Sequence, residues 1–240
     1  MDFPKRILVL LPLAAIVAGC HSDDDDDDVA ENQSFSYQVT VTNLTAGQPL
    51  SPAAVVIHNA DWQAFTLGEP ASVSLETLAE AGDNTEFVDA ADGDSNVLAA
   101  VSGAGAIVPG GTAQVTASVQ AQTTANLYLT WASMPVNTND ALAALNGVEL
   151  ENLAVGESQT YLTISYDAGT EANSETADTV PGPAATGLAE GFNAARDDVR
   201  NAVYVHAGVV TQDDGLVDST LGGAQRWDNP IARVRIERLQ

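Results

Sequence analysis

The 240 residues contain one cysteine, two methionines and, from Ile7 to Ala195, no lysine or arginine at all. A single cysteine closes no loop within the chain, so a disulfide framework is excluded and hydrophobic burial, with or without a bound metal, must hold the fold. The scarcity of cations leaves 33 acidic against 8 basic side chains and a formal charge of −25. A field of that sign opposes approach to nucleic acid or to an anionic lipid surface and gathers cations instead, which excludes nucleic acid as a partner. Also missing are H-E-x-x-H, a G-x-S-x-G elbow, a phosphate-cradling glycine loop and any internal repeat. The glycines at 103, 105, 110 and 111 read as turns instead.

The position of the one cysteine is informative. Lys5 and Arg6 precede an apolar run from Ile7 to Val17, and the small Ala18 and Gly19 lead to Cys20. This reads as a secretory signal peptide over residues 1–19. The run is too short for the ~30 Å hydrocarbon core of a bilayer. Its Val17-Ala18-Gly19-Cys20 ending resembles the bacterial lipoprotein box, which implies that Cys20 is lipidated and begins the mature chain; an ordinary export signal with an incidental cysteine is the alternative. One acyl chain holds a protein to a membrane marginally and two or three hold it firmly, so the implied state is anchored to the membrane, not embedded in it. Asp23 to Asp28 form a block of like charge that repels itself and stays extended, making residues 20–33 a tether. No aspartate directly follows Cys20, which by analogy with lipoprotein sorting implies the outer membrane of a bacterial cell envelope.

Beyond the tether, 45% hydrophobic content and about 200 residues suit one globular domain, expected over 34–240. Phe35, Tyr37, Val39 and Val41 alternate with polar residues as a half-buried strand does. Strands are also expected at 53–57, 96–101, 113–119, 127–131, 161–166 and 232–236, with turns such as Pro109-Gly110-Gly111 between them. Val73, Leu75, Leu78 and Ala79 repeat at helical spacing, and Gly82 is placed to end that helix. The stretch 181–200 reads as a long loop with one short helix. The fold class is therefore mainly β, an antiparallel β-sandwich with one or two short helices. Arg233, Arg235 and Arg238 on the closing strand are expected to pair with carboxylates of neighbouring strands.

Two acidic loops follow strands: Met134 to Asp140, and Tyr166-Asp167-Ala168-Gly169-Thr170-Glu171. Together with Tyr37 to Leu44, Leu67 to Pro70 and Ile231 to Ile236, these segments resemble the spondin N-terminal domain, especially its bacterial lipoprotein members, over about Ser34 to Leu239. The resemblance implies a C2-like sandwich that holds Ca²⁺ at one end, and carried over residue by residue its ligands are Asp140, Asp167 and Glu171. Hard oxygen donors of this kind suit calcium, and Gly169 allows the tight turn between the two later acids. The chain departs from the animal pattern in having Glu171 for an aspartate, Ala141 for an aromatic residue, and no disulfides. The function so implied is adhesion, or contact with an extracellular or envelope protein or glycan, by a lipid-anchored non-enzymatic domain. A hydrolase acting on envelope polymers, and a calcium-dependent binder of lipid or lipopolysaccharide headgroups, are the alternatives. His58 and His206, the two histidines beyond the tether, lie beside expected strands and belong to no zinc motif.

Overall fold

Alternation along β1 (Gln33–Asn43) buries Phe35, Tyr37, Val39, Val41 and Asn43 on one face, leaving the residues between them partly exposed. In the computed structural model, which describes residues 31–185 and 191–240, this strand pairs antiparallel with β4 (Thr112–Ala121) and with β9 (Ala232–Arg238). The leader, Cys20 and the aspartate run lie outside the described residues. The remaining strands are β2 (Ala54–His58), β3 (Val97–Ser102), β5 (Tyr128–Ser133), β6 (Ala141–Glu149), β7 (Ser158–Asp167) and the short β8 (Tyr204–Val205). Their order is β3-β2-β5-β6-β7-β9-β1-β4, every pairing is antiparallel, and β8 adds to β7. The end strands β3 and β4 lie against each other, so the sheet is nearly closed and packs as a sandwich.

The core lies between the two halves. Tyr37, Val39 and Val41 of β1, Val115 to Val119 of β4, and Val234 and Ile236 of β9 meet Val55 and Ile57 of β2 and Leu129 and Trp131 of β5. The opposite faces of β2, β5 and β6 are also apolar, and two helices cover them. Ser72 caps α1 (Val73–Ala81) by accepting from Leu75 N at 3.2 Å, and Gly82 ends it in the left-handed region at φ 69°. Leu75 and Leu78 of α1, with Phe87 and Ala91 of α2 (Thr85–Asp92), pack on Ala54, Val56, Leu142 and Ala144. Burying each such leucine or phenylalanine contributes about 1.5–3 kcal/mol.

The mainly β sandwich with two short helices agrees with the expected class, and several details differ. Strand β6 and helix α2 were not expected: Ala141 to Ala144 are buried on both faces and so show no alternation, and α2 buries only Phe87 and Ala91. The described residues within 181–200 hold turns and no helix. The three closing-strand arginines do not reach carboxylates on neighbouring strands. Arg235 pairs with Glu237 on its own strand, Arg233 reaches Thr42 Oγ1, and Arg238 donates to Leu153 O while stacking over Phe35. Side chains alternate across a sheet, so residues two apart on one strand share a face, and Glu237 is the acid within reach.

The registers sort the loops into two ends. Asn43 pairs with Ala232 and Ala232 with Thr163, while β7 runs on to Asp167, which pairs with Ala141. At the other end, Gln33 stands opposite Ala121, His58 opposite Tyr128, and Tyr128 opposite Glu149. Chain entry at Gln33 and the acidic loops around Asp167 therefore occupy opposite ends of the sandwich.

Candidate metal centre

Asp140 ends a loop that is itself buried. Asn137, Thr138, Asn139 and Asp140 are all within 1% of full burial, so each polar group needs a partner inside the protein. Gln48 Oε1 accepts from Asn137 N at 3.0 Å, Asn137 Oδ1 accepts from Ala184 N at 2.8 Å, and Asn139 Oδ1 accepts from Glu175 N at 3.1 Å. Thr138 Oγ1 donates to Pro135 O at 2.6 Å. Pairing of Ala141 with Asp167, continued by Ala168 N donating to Asp140 O at 3.0 Å, sets the first acid beside the second.

A third carboxylate arrives from the segment before β8. Asp140, Asp167 and Asp198 each offer an oxygen, and these atoms lie within 4.8 Å of one another. Tyr204, paired with Asp167 across β7 and β8, donates its hydroxyl to Asp198 Oδ2 at 2.8 Å. Gly169 is required here in two respects: its φ of 72° favours glycine, and a Cβ would stand 2.3 Å from Ala202 O. Arg196, the first basic residue after the long cation-free stretch, fixes the same segment by pairing with the buried Glu76 and donating to Ala71 O at 2.8 Å. Asp197 adds two ties, its N–H to Thr170 O at 3.0 Å and its Oδ1 accepting from Ala172 N at 2.7 Å.

The electrostatics are those of buried carboxylates at close quarters. Asp140 Oδ2 accepts from Thr170 N at 2.7 Å, Glu171 N at 3.1 Å and Thr170 Oγ1 at 3.2 Å, while Oδ1 is buried with no partner. Burial, and then repulsion from Asp167, push the Asp140 carboxyl up to about 7. Asp167 Oδ1 accepts from Gly169 N at 2.9 Å and Oδ2 from Asn173 Nδ2 at 2.8 Å, yet burial still raises it above the ordinary aspartate range. Nearby Glu175 keeps Oε2 buried and unpartnered, and burial raises it to about 7. Dry carboxylates at close quarters resist ionisation unless a cation joins them.

His206 limits which cation. Its Nδ1 accepts from Gly208 N at 2.9 Å, so in the neutral ring Nε2 carries the proton, which faces Asp167 Oδ2 at 3.9 Å. Burial holds its pKa down to about 4, and Trp227 stacks on it at 5.4 Å. Nε2 is buried with no hydrogen-bond partner, and while it carries the proton it is not a metal ligand. The donor set is thus all oxygen, which suits calcium or magnesium and lacks the nitrogen and sulfur that zinc sites use.

Of the three residues expected as ligands, Asp140 and Asp167 come together. Glu171 lies beside them, buried, and offers its backbone N–H to Asp140, and Asp198 joins the two aspartates. Asp198 and Glu175 were not anticipated from the sequence. The available signal for Asp198 was the run Arg196-Asp197-Asp198, where cations first return to the chain. A scan of the chain against protein-family models finds no match, and a search of curated proteins finds none either.

Proposed function

We propose that this chain is a non-enzymatic, calcium-binding β-sandwich displayed from a bacterial envelope on a lipid anchor at Cys20, serving adhesion or contact with an envelope or matrix partner. The resemblance of its acidic loops to the spondin N-terminal domain supplies the adhesive part of this reading. The observation that carries the calcium part is Asp140 Oδ1, an unpartnered buried oxygen beside two further carboxylates. Calcium takes ~6–8 oxygens, so Asp140, Asp167 and Asp198 would be completed by backbone carbonyls, water or a further carboxylate. Bound there, the ion supplies neutralisation of a cluster that otherwise repels itself. The protein's own contribution is rigidity: the buried 137–140 loop, the Gly169 turn and the Arg196–Glu76 pair hold the three acids in place.

The site lies at the end opposite Gln33, where a tether would attach. The hydrolase reading gains nothing from His58, whose Nδ1 donates to Asn59 O and whose Nε2 accepts from Thr130 Oγ1. With the intact lipidated chain as bait, capture of envelope or matrix components should require calcium and be lost on chelation and in Asp140→Asn. Identical capture with and without calcium would contradict the proposal.

A further inference from the structure

We propose a second binding site, for an uncharged sugar, around Trp62, whose His58-lined cavity is at the end of the sandwich opposite the carboxylate cluster, independent of the calcium reading. His58 and Gly147, which line it, lie at the far ends of β2 and β6; from Ala141 to Gly147 alone, six residues of strand span about 20 Å. Two cavities of about 220 Å³ each flank Trp62. Gln63, Ser72, Ser74 and Phe87 help line one, and His58, Gln63, Tyr128 and Asn146 the other. No aspartate, glutamate, lysine or arginine lines either cavity, although the chain has 33 acidic residues.

The lining selects a chemical class. An ionic ligand would find no counter-charge, because His58 is neutral with both ring nitrogens engaged and burial lowers its pKa. A purely aliphatic ligand would strip water from the exposed Gln63 amide without replacing its hydrogen bonds, which costs free energy, whereas Ser72, Ser74 and Asn146 are already bonded within the protein. A neutral pyranose meets both demands: its C–H faces lie on the aromatic rings, and its hydroxyls reach the Gln63 amide. Each cavity is smaller than the ~300–1,000 Å³ of a drug-sized site, so each suits a single ring.

The aromatic platform is also rigid, which lowers the entropic cost of binding. Trp62 and Tyr128 both pack near His58, with ring centroids 4.7 Å and 6.1 Å from it. Asn146 clamps the Trp62 loop by accepting from Ala64 N at 2.9 Å and donating to Phe65 O at 2.7 Å. Asn126 Oδ1 accepts from Ala60 N at 3.2 Å, and Asn59 Oδ1 from Asp61 N at 2.8 Å.

The test titrates the intact chain, in a detergent that carries no sugar, with cellobiose, lactose and diacetylchitobiose, and with digalacturonate as an anionic control. Amide NMR shifts should localise to Ala60, Gln63, Ala64 and Gly147 for at least one neutral disaccharide, with a dissociation constant of about 1 mM or tighter. Trp62→Ala should weaken that binding by about tenfold or more, whereas Asp140→Asn and chelation should leave it unchanged. Because Trp62 also packs near Phe87, Gln63→Ala serves as a second variant at an exposed position and should weaken binding without altering the fold. No shift with any neutral disaccharide, shifts that map elsewhere, or equal binding of digalacturonate would each overturn the proposal.

Discussion

Replacing Asp140 with asparagine should stabilise the metal-free protein and abolish its response to calcium, two effects of opposite sense from one substitution. The asparagine oxygen can accept from Thr170 N, Thr170 Oγ1 and Glu171 N as Oδ2 does now, and its amide puts a donor where Oδ1 has no partner. The Asp140 carboxyl is raised from 3.8 to about 7, which corresponds to about 4 kcal/mol of cost to its ionised form. That cost is absent while the group is protonated in both folded and unfolded chains. It grows as pH climbs from about 4 and is complete above about 7. Part of it remains in the variant as the desolvation of an amide, so the expected gain at about pH 8 is roughly 1–3 kcal/mol, or about 2–4 °C in Tm for each kcal/mol. The gain should shrink toward about pH 5, where the wild-type carboxyl is largely protonated when folded. Thermal and denaturant unfolding in chelator, repeated across that pH range, give the answer. A variant less stable than wild type at about pH 8 would refute the electrostatic account of the cluster.

Other expectations concern the rest of the chain. Because 33 acidic residues repel one another with few cations between them, the thermal midpoint of chelated protein should climb from low to moderate ionic strength; a flat or falling response would show that repulsion is not limiting. Gly169→Ala should cost about 1–3 kcal/mol through its positive φ and the clash with Ala202, and should weaken calcium binding by displacing the segment that carries Asp198. Denaturation within about 0.5 kcal/mol of wild type would show that the turn adapts. Cys20→Ser should leave the protein unprocessed or release it from the membrane fraction, and a variant that is processed and pellets like the parent would remove the lipid anchor.

Strands with one wet face were legible from the sequence. The alternation in β1, β4 and β9 matches their observed burial, and Gly82 ends α1 where it was expected to. Strand β6 was illegible because Ala141 to Ala144 are buried on both faces, and small apolar residues carry no period there. Asp140 and Asp167 were legible as acids at strand ends. Asp198 becomes a neighbour only through the β7–β8 pairing of Asp167 with Tyr204 and the hydroxyl bond from Tyr204, both long-range features that no local pattern announces. The pairing of Asp167 with Glu171 as ligands is what the spondin-domain resemblance implies. In the fold the Glu171 backbone N–H meets Asp140, and Asp198 brings a further carboxylate to Asp140 and Asp167.

The central claim is tested most directly by calorimetric titration of the intact, chelator-treated chain with calcium and with magnesium, wild type beside Asp140→Asn, Asp167→Asn and Asp198→Asn. The account predicts one calcium ion bound at about 10⁻⁴ to 10⁻³ M, as in extracellular calcium modules, and stabilisation by roughly 1.4–2.7 kcal/mol at about 10 mM calcium. Magnesium, which keeps its waters and demands a stricter octahedron, should bind more weakly. Each of the three variants should lose most of the calcium response. Equal responses in wild type and all three variants would remove these carboxylates from the site, and no response in any of them would remove the site.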